Sequence, residues 1–139
     1  STYVSDLLTP VDLSSPRLSK TERFCPQALT TQRMDRFEQP LRRQYLQTGK
    51  CGFNGDNCIT VETTLVNPTS PGSGSSTDLS LIPPLKFSVT TGFGYYGGCD
   101  GAGASCNNAN CNTAFRVPTD TFVQVACQSN NVNLAITFC

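Results

Sequence analysis

Alternation is the clearest pattern in the chain. Ile59-Thr60-Val61-Glu62-Thr63-Thr64-Leu65-Val66 is rich in β-branched residues and roughly alternates apolar with polar positions. That pattern predicts a strand with one buried face. Leu79–Ile82 resumes a strand, and Pro83-Pro84 interrupts it because proline has no ladder donor. Lys86 to Thr90 predicts a further short strand. In the tail, Thr121–Ala126 and Asn133–Phe138 predict two more, and Gln128-Ser129-Asn130-Asn131 between them fits an antiparallel hairpin. The stretches between are loops by composition. Asn67 to Thr77 reads NPTSPGSGSST, and residues 92–112 are dense in Gly, Asn and Cys. The many short strands with turn signals imply a mostly β chain with little helix, a sandwich or a barrel.

The first fifty residues are patterned differently. Residues 1–30 are rich in Ser, Thr and Pro and read as an extended lead-in. Met34, Phe37, Leu41 and Tyr45 then recur at three and four residues, a helical stripe. Thr30 or Thr31 can cap it and Gly49 can end it, while Pro40 would break or kink it. The expectation is one short helix or two turns within residues 31–48. The alternative is an irregular segment containing strand.

Composition adds the staples. The 139 residues suit one domain, and at 37% apolar the core is modest. Eight cysteines (Cys25, Cys51, Cys58, Cys99, Cys106, Cys111, Cys127 and Cys139) imply four disulfides and an oxidising compartment. Local pairs are expected among Cys99, Cys106 and Cys111 with their neighbours. The chain has no histidine and no C-x2-C pair, so neither a metal nor a cofactor is expected. The missing histidine also removes the usual catalytic triads and leaves no base for a cysteine nucleophile. No apolar run reaches the length of a membrane-spanning helix. The opening Ser1-Thr2-Tyr3 reads as the mature form of an exported precursor, hence a secreted, extracellular protein. Asn67-Pro68-Thr69 is excluded as a glycosylation sequon by its proline.

Net charge is zero but uneven. Residues 1–50 hold eight of the ten Lys and Arg, whereas residues 51–139 hold only Lys86 and Arg116 beside Asp56, Glu62, Asp78, Asp100 and Asp120. Basic residues this dispersed make a solvated surface, not a nucleic-acid patch.

Three stretches resemble the thaumatin-like protein family. DTFVQVACQSNNVNLAITFC, residues 120–139, is similar to its closing pair of strands. ITVETTLVNPTSPGSGSSTDLSLIPPLKFSV, residues 59–89, resembles the family's pair of strands carrying a Glu and an Asp, with Glu62 and Asp78 at the matching positions. TGKCGFNGDNC, residues 48–58, is similar to its Thr-Gly-Asp-Cys-Gly region. GFGYYGGCDGAGASCNNANCNTAF then fits its compact cysteine-rich loop. The resemblance covers about residues 48–139 and leaves residues 1–47 as a diverged, basic N-terminal segment of the same single domain. It implies a disulfide-stapled antiparallel β-sandwich with Cys139 tied back to a distant cysteine, Cys25. Short, Gly- and Asn-rich sequences of this kind resemble small secreted fungal members, which implies a fungal source.

The resemblance also implies an acidic cleft that binds or cuts β-1,3-glucan. Glu62 and Asp78 are its candidate catalytic residues, and with Tyr95 and Tyr96 they form the candidate carbohydrate-binding set. Phe93, Tyr95 and Tyr96 lie in a glycine-rich stretch, where aromatic rings either stack on sugars or close the edge of the core. Two departures bear on activity. The chain has no tryptophan, and the family's next acid after Asp78 falls on Pro83. Glycoside hydrolysis needs two carboxyl groups about 5–5.5 Å or roughly 6.5–9.5 Å apart. A missing partner favours a non-enzymatic defence, effector or immunomodulatory protein that binds β-glucan or a host-cell surface receptor. The alternative is an antifungal β-1,3-glucan-binding protein or weak endo-β-1,3-glucanase.

Overall fold

The computed structural model describes residues 3–6, 28–32 and 39–139. Their strands are β1 Tyr3–Asp6, β2 Ala28–Gln32, β3 Gln39–Gln47, β4 Thr60–Leu65, β5 Ser75–Ser80, β6 Thr91–Tyr96, β7 Gly103–Cys106, β8 Ala114–Phe115, β9 Val125–Cys127 and β10 Asn133–Phe138. One 3₁₀ turn, Thr121–Val123, is the only helix among the described residues. The first sheet runs β1-β3-β4-β5-β8, with β9 also pairing β5. The second runs β2-β10-β6-β7. All pairings are antiparallel except the short β5–β8 ladder, which is parallel.

The inner faces follow from period two. Val61, Thr63 and Leu65 of β4 and Thr77 and Leu79 of β5 face inward, opposite Phe93 and Tyr95 of β6 and Leu134, Ile136 and Phe138 of β10. Together they make one core between the sheets. It is not wholly apolar. The Thr63 and Thr77 hydroxyls lie 2.7 Å apart, and the Tyr95 hydroxyl crosses from the other sheet to within 2.9 Å of Thr77 Oγ1 and 2.8 Å of the Val125 carbonyl. A phenol has one proton and a carbonyl can only accept, so Tyr95 donates to Val125 and accepts from Thr77. Tyr95→Phe should therefore cost about 1–3 kcal/mol in urea unfolding, because the Val125 carbonyl loses its side-chain donor and Thr77 keeps only its bond to Thr63.

Three described disulfides join Cys51 to Cys58, Cys99 to Cys127 and Cys106 to Cys111. Cys139 is disulfide-bonded as well, and its expected partner Cys25 lies outside the described residues. Only Cys106–Cys111 is local among the glycine-rich cysteines. Cys99 instead reaches Cys127 in the other sheet.

Several expectations are corrected. Residues 39–47 form a strand, not a helix, and Pro40 falls where the β3–β4 register shifts between Gln39 and Arg42. An irregularity there releases the ladder donor that proline lacks. The rest of the expected helical stripe, including Met34 and Phe37, lies outside the described residues. Strand β5 begins at Ser75, inside the expected loop, because the Ser75 side chain closes the end of β4 through Val66 N–H at 3.0 Å. The glycine-rich stretch is mostly strand, as β6 and β7. No strand forms over Lys86–Thr90. The tail is not a hairpin: β9 pairs β5 while β10 pairs β6 and β2. Residues 128–131 are a corner between sheets, pinned by Asn131 N–H to Asn67 Oδ1 at 2.8 Å and Gly74 N–H to Gln128 Oε1 at 2.9 Å.

Candidate functional site

Three adjacent strands line up the charged side chains. Arg43 of β3 is opposite Glu62 of β4, and Glu62 is opposite Asp78 of β5. Thr77 faces the core, so its neighbour Asp78 projects to the other face of the sheet, and Glu62 and Arg43 share that face by register. The row is thus Arg43–Glu62–Asp78 across the outer face of the first sheet. Arg43 Nε donates to Glu62 Oε1 at 3.1 Å, with both side chains reachable from solvent.

Asp78 is different. It is 7% exposed, and its Oδ2 is sealed without a hydrogen-bond partner. Burial, and then the neighbouring Glu62 carboxylate, push its pKa up to about 7, against a smaller lowering by Arg43. Asp78 therefore holds a proton over much of the acid and neutral range, beside a carboxylate engaged by a guanidinium.

The next row along the same face is Tyr45, Thr60 and Ser80, and the Cys51–Cys58 loop roofs it. The Tyr45 hydroxyl donates to the Phe53 carbonyl at 2.9 Å. Gly55 sits at φ +84°, and a Cβ there would come within 2.9 Å of Thr60 Oγ1 and 3.0 Å of the Tyr45 ring, so only glycine fits. The roof carries Phe53, which is 81% exposed. Arg43 and Phe53 were not singled out by the sequence pattern. Arg43 was hidden in the supposed helix, and Phe53 is a single aromatic in a polar loop.

No family model, curated protein or solved structure matches this chain.

The structure brings Glu62 and Asp78 together but not the tyrosines with them. Tyr95 is 3% exposed, with its ring between the sheets and its hydroxyl engaged as described. Tyr96 alternates to the outer face of the second sheet, across the sandwich from the charged row. Both lie on β6, not on a loop. The other acids are placed elsewhere. Asp120 Oδ2 accepts the Arg116 and Val117 backbone N–H groups at 3.0 and 3.2 Å, a turn-forming role. Asp56 packs against Gly52 within the roof loop, and Asp100 is exposed beyond β6. Pro83 lies past the end of β5 and offers no carboxyl.

Proposed function

We propose that this chain is a secreted thaumatin-like protein that binds β-1,3-glucan without cleaving it. The single observation that carries this reading is the Arg43–Glu62–Asp78 row on the outer face of the first sheet, next to the disulfide loop that carries the exposed Phe53. Arg43 and Glu62 offer hydrogen-bond donors and acceptors to sugar hydroxyls, and Phe53 offers a ring for stacking. The disulfides at every described cysteine support an oxidising, extracellular setting. Retention on insoluble β-1,3-glucan tests it. Glu62→Gln and Phe53→Ala should each reduce the bound fraction severalfold, while Tyr96→Ala on the opposite face should leave it unchanged. Wild type that passes straight through, or equal retention of all variants, would defeat the proposal.

One observation favours a second reading, weak endo-β-1,3-glucanase activity. Asp78, held near 7, is poised as a proton donor beside an ionisable partner. Against it, the sealed Asp78 carboxyl has little reach to a substrate oxygen. The expected result is no release of reducing ends from laminarin. Turnover in wild type that is lost in both Glu62→Gln and Asp78→Asn would establish the enzyme instead.

A further inference from the structure

Residues 51–139 carry only two cations, Lys86 and Arg116, and both line one groove. The groove has a volume of about 510 Å³, within the range of small-molecule sites. Its floor and walls are apolar: Leu81, Leu85, Phe87 and Ala109, with Pro83 at the edge. No acidic side chain lines it, and among the described residues neither cation is in an ion pair. It shares no residue with the Arg43–Glu62–Asp78 row.

The walls are fastened. Leu81 N–H donates to the Phe115 carbonyl at 2.7 Å, and Leu85 N–H closes a turn on Ile82 at 2.9 Å. Asn57 N–H holds the Pro84 carbonyl at 2.9 Å, which ties this wall to the Cys51–Cys58 loop. On the other side, Ala109 sits in the loop closed by Cys106–Cys111, and Arg116 begins the turn held by Asp120. A groove held from both sides loses little freedom when filled.

From this geometry we infer that the groove binds a long-chain carboxylate, with its apolar chain along Leu81, Leu85 and Phe87 and its head group between Lys86 and Arg116. Two cations without an ion pair among the described residues, on an apolar lining, call for one molecule that is both anionic and apolar. A neutral lipid leaves the cations unused, and a small polar anion leaves the lining unused. The planar guanidinium of Arg116 matches a carboxylate through two parallel hydrogen bonds, and Lys86 adds a second charge.

Titration calorimetry with dodecanoate, below its micelle concentration, tests the inference on the intact chain. Wild type should bind one equivalent, and the Leu81 and Leu85 methyl resonances should shift. The double variant Lys86→Gln, Arg116→Gln should bind about tenfold more weakly or worse, since charge-assisted hydrogen bonds are lost at two exposed positions. Dodecanol should lose a similar factor, and acetate should not bind. Ala109→Phe should block the groove. Equal affinity of the double variant, shifts confined to other residues, or binding to anionic vesicles without binding to monomeric dodecanoate would each overturn it.

Discussion

Replacing Cys99 and Cys127 together by alanine should lower the unfolding free energy by about 3–4 kcal/mol. Chain entropy sets the size. Cross-linking two residues removes freedom from the unfolded chain, and the effect grows with the loop that is closed. Cys99–Cys127 spans a sequence separation of 28, against 7 for Cys51–Cys58 and 5 for Cys106–Cys111. The two local bonds should contribute less, roughly 2 kcal/mol each. Position reinforces the order. Cys127 is fully buried at the end of β9 in the first sheet, and Cys99 follows β6 of the second. The bond therefore clamps the sheets at the corner that the 128–131 turn makes. Urea unfolding of the three paired variants checks it. Equal losses from all three pairs, or a larger loss from Cys106–Cys111, would show that loop length does not govern stability here.

The sandwich was legible where period two was written in apolar residues. Val61, Leu65, Leu134, Ile136 and Phe138 announced β4 and β10, and all are fully buried. It was hidden where the pattern used other alphabets. In β6 the sequence TGFGYY is also period two, with glycine as the outward partner of Phe93 and Tyr95, but glycine density reads as loop. In β5 the sequence SSTDLS faces the core with the Thr77 hydroxyl, which pairs to both Thr63 and Tyr95, so polarity disguised an inner strand. In β3 the stripe of Leu41 and Tyr45 at helical spacing was coincidental. Tyr45 is buried because the disulfide loop covers it, while Leu41 is exposed. The tail misled for another reason. Strand pairing is a long-range choice, and the corner at Asn131 depends on Asn67, which is 64 residues away. Neither the β9–β5 ladder nor the corner has a local signal.

The candidate site divides in the same way. Glu62 and Asp78 were expected side by side only from the resemblance; in the structure the β4–β5 register sets them opposite each other on the outward positions. The separation of Tyr96 from them was not legible, because it depends on which sheet β6 joins. The sealing of Asp78 was not either, since burial of a carboxyl on an outer face comes from what packs above the sheet.

That sealed carboxyl makes the strongest pH prediction. Asp78 titrates near 3.8 when the chain is unfolded and at about 7 when it is folded. Between these values the folded state binds the extra proton, so the carboxyl's contribution to stability is complete below about pH 4 and is lost as the pH rises through 7. At about 1.4 kcal/mol per unit, the whole loss is on the order of 4 kcal/mol. Asp78→Asn cannot titrate. Its stability should change less than that of wild type between pH 4 and pH 8, by a few kcal/mol, with all other groups cancelling in the comparison. The neighbours set the sign of two further variants. Glu62 raises the Asp78 pKa, so Glu62→Gln should narrow the gap between pH 4 and pH 8; Arg43 lowers it, so Arg43→Gln should widen the gap. Urea unfolding at pH 4, 6 and 8 reads all four proteins. Parallel pH profiles for wild type and Asp78→Asn would mean that Asp78 ionises freely at neutral pH and is not sealed. A buried, unpaired carboxyl destabilises the fold at neutral pH, and a neutral amide of the same shape would relieve that cost. That cost falls on one member of the Arg43–Glu62–Asp78 row, while the other two, the partly exposed Glu62 and the exposed Arg43, stay paired at 3.1 Å within reach of solvent.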